Sequence, residues 1–213
     1  MEQIATLRVA PGRPLLAVDA DEVLFYFMRG FAGWLETRAL YFDWSSFALA
    51  GNIRSRQDGI PVPREAVGEL LGGFFNAGTA DLEPVDGAAA SLARLSQYYD
   101  IVILSNQPAS AKPARETALA RHGMAYPVIA NTGPKGLAMA ALLAGRDAPA
   151  AFVDDIPMHH GSVAKHAPMV RRLHYIAEPR LSPLLPPAEH AHAKLQNWAE
   201  IEADLMAHLG KAG

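Results

Sequence analysis

The 213-residue sequence contains no cysteine. Disulfide bonds, thiolate nucleophiles and zinc sites built on thiolates are therefore excluded. A strong excess of charge is also absent, since the formal net charge is −3. That balance gives no electrostatic reason to expect nucleic acid or an anionic membrane surface as a partner.

Long apolar runs are missing as well. The N-terminal segment lacks the basic region and long apolar stretch of a secretory signal, and the apolar run before Asp19 is too short to span a bilayer. We therefore expect a cytoplasmic protein. Half of the residues are apolar and 19% are charged, as in ordinary globular proteins. This length and composition predict one domain that can carry an insertion.

Short apolar runs alternate along the chain with segments in which apolar residues have helical spacing. The runs that predict buried strands are Leu15–Val18, Ile101–Leu104, Pro127–Ala130, Ala151–Val153 and Leu173–Ala177. Alternation of this kind is typical of an α/β fold. We therefore predict a Rossmann-like parallel sheet with helices on both faces.

Residues 25–82 interrupt this alternation. Apolar residues at helical spacing predict one helix around Phe27–Leu35 and a second that begins near Pro63 and ends at Asn76-Ala77-Gly78. The polar stretch from Gly51 to Pro63 is predicted to be a loop, and no strand is expected between Leu24 and Leu82. The segment 25–82 is therefore predicted to be a small helical cap inserted after the first strand. Residues 1–24 and 83–213 would form the α/β catalytic core.

Chemically distinctive side chains follow the predicted strands. They are Asp19 and Asp21 after the first strand, Ser105 and Asn106 after the second, Lys135 at a helix start, and Asp154 with Asp155 after the fourth. The carboxyl ends of parallel strands meet at one edge of a sheet, where α/β proteins bind ligands. We therefore expect these side chains to lie together.

This ordered set resembles the four motifs of the haloacid dehalogenase-like hydrolase superfamily, whose members are mostly phosphatases. The motifs are, in order, Asp19-Ala20-Asp21-Glu22-Val23, Ser105, Lys135 and Asp154-Asp155. The resemblance extends from about Pro14 to Tyr175. It implies the phosphatase branch that carries a helical cap after the first motif, and hence hydrolysis of a small phosphate monoester.

The charges of these groups favour the same chemistry. A phosphate monoester carries about −2 near neutral pH. The carboxylates of Asp19, Asp154 and Asp155 would bring the site to about −5, which a crevice cannot hold without cations. Lys135 and one Mg²⁺, which prefers carboxylate and phosphate oxygens, would reduce this to about −2. We therefore predict Mg²⁺ as the cofactor.

The resemblance also implies a catalytic role for each side chain. Asp19 would be the nucleophile that forms an aspartyl-phosphate. Asp21 would protonate the leaving oxygen and later take a proton from water. Ser105, Asn106 and Lys135 would bind the substrate, with Ser105 on a phosphoryl oxygen and Lys135 neutralising the developing charge.

For the metal ion, the resemblance implies Asp19, Asp155 and the backbone carbonyl of Asp21 as ligands. Asp154 would be a further ligand, directly or through water. Many relatives carry another acidic residue three or four positions after the acidic pair, where this chain has Met158-His159-His160. The chain's eight histidines show no ligand spacing, so His159 and His160 are predicted to lie at the surface.

Other functions remain open at this point. A dehalogenase on the same fold would need Asp19 but neither Asp21 nor a metal site, so the retained acids disfavour it. A signalling receiver module would carry its acceptor aspartate on a middle strand, whereas the middle strand here ends in Ser105. A phosphotransferase or mutase shares the core chemistry. A non-catalytic phosphate-binding protein would leave a filled set of catalytic positions unused.

The predicted cap is rich in aromatic residues, with nine in the 23 residues from Phe25 to Phe47. Most of these rings should form the cap's own core, but a surplus that includes Tyr26 and Trp44 would suit stacking on a planar base. Three arginines lie among or near the rings: Arg29, Arg38 and Arg54. The segment Asp81-Leu82-Glu83-Pro84-Val85 also resembles part of the 5′-nucleotidases of the deoxyribonucleotidase type. The predicted substrate is a small phosphorylated metabolite, with a nucleoside monophosphate as the specific hypothesis.

Overall fold

The computed structural model describes residues 12–77 and 79–212, and side chains as far as residue 210. In this part of the chain the strands are β1 (Leu15–Val18), β2 (Leu40–Phe42), β3 (Ile53–Ser55), β4 (Asp100–Asn106), β5 (Val128–Asn131), β6 (Ala150–Asp154), β7 (Arg171–His174) and β8 (Ala193–Lys194). The helices are α1 (Phe27–Glu36), α2 (Ala66–Ala77), α3 (Ala88–Leu95), α4 (Lys112–Arg121), α5 (Gly136–Leu143), α6 (Pro157–His166) and α7 (Trp198–Ala212).

Six strands form one parallel sheet in the order β5-β4-β1-β6-β7-β8. The first strand is central, and Val18 at its end pairs with Ile103 on one side and Val153 on the other. Because the strands are parallel and in register there, the residues that follow them meet at the same edge. The predicted α/β fold with a Rossmann-like parallel sheet is confirmed.

Helices cover both faces of the sheet, as the alternation of side chains in a strand requires. Leu16 and Val18 of β1 belong to a core shared with α1, α3, α4 and α7. Leu15 and Ala17 face the opposite way, into a second core shared with α5 and α6. All four residues are fully buried, which explains why the strand reads as an unbroken apolar run.

The segment between β1 and β4 contains a feature that the sequence analysis missed. The strands β2 and β3 pair as an antiparallel hairpin, with Tyr41 opposite Arg54. The expectation of no strand between Leu24 and Leu82, and of a loop over Gly51–Pro63, is therefore wrong. Each strand has only three residues, which is too short for a recognisable alternation. The second predicted helix is present as α2, but its predicted cap at Gly78 lies outside the described residues.

Aromatic rings hold the two helices of this segment together. The ring of Phe74 on α2 lies 5.2 Å from that of Phe27 and 5.3 Å from that of Phe31, measured between centroids. The ring of Trp34 lies 5.8 Å from Phe74. Contacts at this distance are typical of aromatic packing. Phe27, Phe31 and Trp34, three of the nine aromatic residues between Phe25 and Phe47, therefore pack in the segment's own core.

The far edge of the sheet also differs from expectation. The fifth predicted strand, Leu173–Ala177, is displaced, since β7 covers Arg171–His174. The two-residue strand β8 was not predicted at all. Strand ends here depend on pairing with β6 rather than on local apolar content. Within the described chain, no helix combines the length and apolar character needed to cross a membrane.

Candidate active site

A buried lysine lies at the centre of the predicted site. Lys135 immediately precedes α5, and its Nζ lies 2.7 Å from Asp19 Oδ1 and 2.6 Å from Asp154 Oδ2. Its side chain is fully buried. Burial by itself disfavours the charged ammonium, but the charges of Asp154 and Asp19 raise the pKa of Lys135 above its ordinary value. The lysine is therefore a permanent cation that joins the ends of β1 and β6.

Three carboxylates meet at the same point. One oxygen from each of Asp19, Asp154 and Asp155 lies within 4.8 Å of the others, and all three residues are buried. Burial raises the pKa of Asp155 well above its ordinary value, and the charges of Asp154 and Asp19 raise it further. Burial likewise raises the pKa of Asp19, against the opposing charge of Lys135. Buried acids that repel one another require a cation, and an all-oxygen donor set fits Mg²⁺.

Asp154 differs from the other two acids because both of its oxygens are engaged. Oδ2 binds Lys135, and Oδ1 accepts a hydrogen bond of 2.8 Å from the backbone N–H of Ile156. This second bond closes the turn that leads from β6 into α6. The carboxyl group of Asp155, by contrast, lines an open cavity.

Two histidines orient the backbone of the acidic pair. His160 Nε2 lies 3.0 Å from the carbonyl oxygen of Asp154, and His174 Nε2 lies 3.0 Å from that of Asp155. Each nitrogen faces an acceptor, so each carries a proton and donates. Burial lowers the pKa of both imidazoles to about 4, which keeps them neutral. The predicted surface position of His160 is wrong, since the residue is fully buried.

Asp21 is bound by an arginine that the sequence analysis did not identify. Arg115 Nη2 donates to Asp21 Oδ1 at 2.5 Å, and its Nε donates to Gln107 Oε1 at 3.2 Å. Arg115 is fully buried on α4. Burial raises the pKa of Asp21 to about 6, and the positive charge of Arg115 limits the increase. No local pattern marks this arginine, because its partner lies 94 residues away.

Ser105 and Asn106 end β4 beside the acids. Ser105 is fully buried, and among the described residues its Oγ has no hydrogen-bond partner. Asn106 is held by its neighbours: its Oδ1 accepts from Asn131 at 2.7 Å, and its Nδ2 donates to the carbonyl of Gly133 at 2.9 Å. At the end of β4 the Ser105 hydroxyl is therefore a buried polar group without a partner in the described chain, while Asn106 is the residue that lines the cavity.

The bonds of Asn106 also determine which nitrogen of His159 carries the proton. Its second amide hydrogen faces His159 Nε2 at 3.4 Å, so that nitrogen is the acceptor and Nδ1 carries the hydrogen. Nδ1 is buried and has no partner within the described chain. The predicted surface position of His159 is wrong, because the residue is buried and lines the cavity.

Glu22 of the first motif has a structural role that its sequence context did not reveal. Its backbone has a positive φ of 59°, and its two carboxyl oxygens accept hydrogen bonds from the backbone N–H groups of Met28 and Glu178. Burial raises the pKa of Glu22 to about 7. The residue therefore joins the start of α1 to the segment that follows β7.

A cavity of about 280 Å³ opens at this edge of the sheet. Asp19, Asp21, Asn106 and Asp155 line it, together with Glu22, His159, Ile156 and apolar side chains from the segment 25–82. Lys135, which is ion-paired with both Asp19 and Asp154, is fully buried behind these lining residues, as is Asp154. The structure thus brings the predicted acids, lysine and asparagine to one place, with Ser105 buried on the adjacent strand.

Comparison with known proteins supports one fold. No protein-family model and no curated protein matches the sequence. Solved structures do match. A conserved haloacid dehalogenase-like protein of unknown function from Agrobacterium tumefaciens superposes with a TM-score of 0.63 at 18% identity, covering 92% of this chain and 99% of that one. The chain has the haloacid dehalogenase-like fold.

Two further structures show how varied proteins of this fold are. A candidate β-phosphoglucomutase from Bacteroides vulgatus has a TM-score of 0.57 at 14% identity, covering 95% of this chain and 91% of that one. A candidate haloacid dehalogenase-like hydrolase from Bacillus subtilis, bound to magnesium, has a TM-score of 0.59 at 12% identity, covering 92% and 99%. The predicted resemblance to this superfamily is confirmed for the fold, while activity has to be argued from the site.

Proposed function

We propose that this protein is a Mg²⁺-dependent phosphohydrolase that acts on a small phosphate monoester through an aspartyl-phosphate. The observation that carries the proposal is the buried group of Asp19, Lys135 and Asp154 beside Asp155, at the floor of a cavity. A carboxylate fixed by a buried cation, with further acids within reach, is suited to attack a phosphorus atom. The fold shared with a magnesium-bound hydrolase supports the same chemistry.

The metal ion would be held by Asp19, Asp155 and the backbone carbonyl of Asp21. Asp154 contributes less directly in this proposal, because Lys135 and Ile156 already engage its two oxygens. When bound, Mg²⁺ would neutralise the buried acids and polarise the phosphoryl group. The acids themselves supply the fit, since burial and then repulsion by neighbouring carboxylates raise the pKa of Asp155 and of Asp19, and a cation would relieve that repulsion.

Asp19 acts as the nucleophile in this mechanism. Its carboxylate attacks phosphorus, the ester P–O bond breaks, and the alcohol leaves. Lys135 fixes the attacking group by holding Oδ1, and it stays charged throughout the reaction. Water then attacks the aspartyl-phosphate, releasing inorganic phosphate and restoring the Asp19 carboxylate.

Asp21 moves the protons in both steps. It lines the same cavity as Asp19, and its pKa of about 6 allows it to be both a donor and an acceptor near neutral pH. It gives a proton to the leaving oxygen and later takes one from the attacking water. Arg115 holds the carboxyl group in position during both transfers.

Phosphoryl oxygens would be bound at the end of β4. The Ser105 hydroxyl is buried without a partner, so a ligand oxygen would satisfy it. These phosphate-binding groups do not distinguish a hydrolase from a mutase. The two enzymes use the same groups and differ in the molecule that accepts the phosphoryl group from the aspartyl-phosphate. A dehalogenase would have no use for the Arg115–Asp21 pair, and that pair therefore favours the phosphohydrolase.

The proposal is tested by hydrolysis of p-nitrophenyl phosphate with purified protein. Activity should require Mg²⁺, vanish in excess chelator and return when Mg²⁺ is restored. Asp19→Asn should abolish turnover, because an amide is a far poorer nucleophile, whereas the exposed Asp58→Asn should behave as wild type. Full activity in chelator would remove the metal from the mechanism, and an active Asp19→Asn protein would refute the proposed nucleophile.

The nucleoside monophosphate remains a prediction about the substrate. Direct competition between nucleoside monophosphates, sugar phosphates and phosphorylated amino acids tests it. Preferred binding of nucleoside monophosphates would support this prediction, which rests on the aromatic residues of the segment 25–82. A preference for either of the other two classes would contradict it.

A further inference from the structure

The cavity has two halves of opposite character. Its floor consists of the acids and polar groups at the ends of β1, β4 and β6. The other walls are apolar side chains, almost all from the segment 25–82: Phe27, Met28, Phe47, Leu49, Leu71, Phe75 and Leu181. In the proposed reaction the phosphoryl group occupies the floor. The leaving group must therefore contact the apolar walls.

The arginines of the same segment do not reach this cavity. Arg29 is ion-paired with Glu178 at 2.9 Å, Arg54 lies 3.3 Å from Asp43, and Arg38 packs on a tryptophan ring. Of the residues at 12–77 and 79–212, no arginine or lysine lines the cavity. An anionic group on the far side of the substrate would therefore find no cation.

The two rings suggested by the sequence for base stacking are covered as well. The guanidinium of Arg29 lies 3.5 Å from the centroid of Tyr26, and that of Arg180 lies 3.5 Å from the centroid of Trp44. Neither ring is part of the cavity wall. The aromatic rings that do line it are phenylalanines, which offer no polar atom to a substrate.

Few polar groups remain for hydroxyls on a leaving group. The oxygens of Glu22 are occupied by two backbone N–H groups, and the amide of Asn106 is engaged by its neighbours. The N–H of His159 is the polar wall group without a partner in the described chain. A sugar would bury several hydroxyls here without partners, and each unsatisfied one lowers affinity by roughly 5- to 150-fold.

We propose that the substrate is a phosphate monoester of a compact, uncharged and apolar alcohol, either arylmethyl or branched alkyl. Phe47, Leu49, Leu71 and Phe75 would select it. The cavity of about 280 Å³ lies just below the usual range for ligand pockets, about 300–1,000 Å³, which suits such a small alcohol. The inference rests on the proposed phosphohydrolase function. In the reaction the ester P–O bond breaks and the alcohol leaves with the proton from Asp21.

The test compares esters of matched reactivity. Benzyl and 3-methylbutyl phosphates are set against ribose 5-phosphate, glucose 6-phosphate and a nucleoside 5′-monophosphate, each a phosphate ester of a primary alcohol. With Mg²⁺ present, kcat/KM should be at least tenfold higher for the first two. Binding to the Asp19→Asn protein, measured by calorimetry with Mg²⁺, should show the same order and does not depend on turnover.

A matched pair of variants tests whether the apolar wall of the cavity selects the substrate. Leu71 and Leu70 are adjacent on α2 and both half-buried, but only Leu71 lines the cavity. Leu71→Ser should lower kcat/KM for benzyl phosphate by about tenfold. It should therefore also lower the ratio of kcat/KM for benzyl phosphate to kcat/KM for ribose 5-phosphate. Leu70→Ser should keep the wild-type ratio, with urea unfolding used to check that both variants fold.

The outcomes separate this inference from the function on which it rests. Efficient Mg²⁺-dependent hydrolysis of sugar phosphates or nucleotides, with poor hydrolysis of the apolar esters, would overturn the substrate class and leave the phosphohydrolase intact. If no ester is hydrolysed, the phosphohydrolase proposal fails, and the binding order then decides whether the walls select apolar ligands. Equal binding of benzyl phosphate and ribose 5-phosphate would refute the inference in that case.

Discussion

Replacing Lys135 with methionine should destabilise the protein strongly, and Mg²⁺ should restore part of the loss. The substitution keeps a side chain of similar length but removes the positive charge that lies 2.7 Å from Asp19 and 2.6 Å from Asp154. Asp154 would remain fully buried and Asp19 almost so, without the cation that pairs with them. We expect the Lys135→Met protein to fold and to have a lower free energy of unfolding in chelator than with Mg²⁺.

The magnitude follows from the two ion pairs. At 2.6 and 2.7 Å and an effective dielectric of about 20, each pair is worth about 6 kcal/mol in Coulomb energy. Much of this is offset by the cost of burying three charges, several kcal/mol for each ion. Removing one partner of a buried pair costs about 3–5 kcal/mol, because it leaves uncompensated charge. That is the expected decrease in the free energy of unfolding.

Urea unfolding measures this decrease directly. Lys135→Met should lose about 3–5 kcal/mol in chelator and regain about 2.7 kcal/mol when Mg²⁺ is present at 100 times its dissociation constant. The exposed Lys165 provides the matched control, since a surface change of the same type should alter stability by less than about 0.5 kcal/mol. Catalysis should be lost in Lys135→Met even where Mg²⁺ restores stability.

A small effect would refute this reasoning. If Lys135→Met loses less than about 1 kcal/mol in chelator, the three carboxylates do not depend on the lysine for compensation. They would then be partly protonated or hydrated in the native protein. Absence of any stabilisation by Mg²⁺ in the variant would argue against a cation site at these acids.

Three further predictions concern protons. Asp21→Asn should release p-nitrophenolate in a burst of up to one equivalent and then turn over slowly, because attack by water lacks its base; an unchanged steady-state rate would contradict the role. Asp21 must be protonated to donate to the leaving oxygen, so its pKa sets the alkaline limb of the kcat/KM profile, and Arg115→Met should move that limb to higher pH by about one pH unit or more at saturating Mg²⁺, since the Arg115 charge holds down the pKa of Asp21; an unmoved limb would show that Arg115 does not control this pKa. Burial lowers the pKa of His160 and His174 to about 4, from about 6.5 when unfolded, so the unfolded chain binds protons first as the pH falls below 6.5. Stability should therefore drop by about 2 kcal/mol per histidine between pH 7 and pH 5. Urea unfolding at both pH values should show a smaller drop for His174→Gln, and an equal drop would refute the assignment.

The strands of the main sheet were predictable wherever burial on both faces makes them continuous apolar runs. β1 matches its prediction at both ends, and β4 and β6 differ from theirs by one or two residues. At β7 the apolar pattern continues past the strand, because Tyr175, Ile176 and Ala177 are buried, although the last backbone bond to β6 is the one from the Tyr175 N–H to the Asp154 carbonyl. The apolar residues there indicate which part of the chain is buried. The end of the strand, by contrast, is determined by hydrogen bonds to the neighbouring strand.

The small hairpin of the inserted segment could not be predicted for a related reason. Its residues are mostly half-buried, so the strands β2 and β3 show no clear alternation. Their pairing brings Leu40 opposite Ser55, a contact between positions with no local relationship. Apolar spacing within one stretch of chain carries no information about such a partner.

The sequence by itself determined the parallel sheet, the order of its acidic, hydroxyl and lysine residues, and the chemistry expected where they meet. These properties follow from short apolar runs and from the rule that parallel strands end at one edge. Only the tertiary structure decided that Arg115 binds Asp21, that His159 is buried beside Asn106, and that the cavity walls are apolar. The physical reason is that burial and pairing of a side chain depend on neighbours supplied by distant segments, and a buried polar group takes whichever partner the packed fold places within reach.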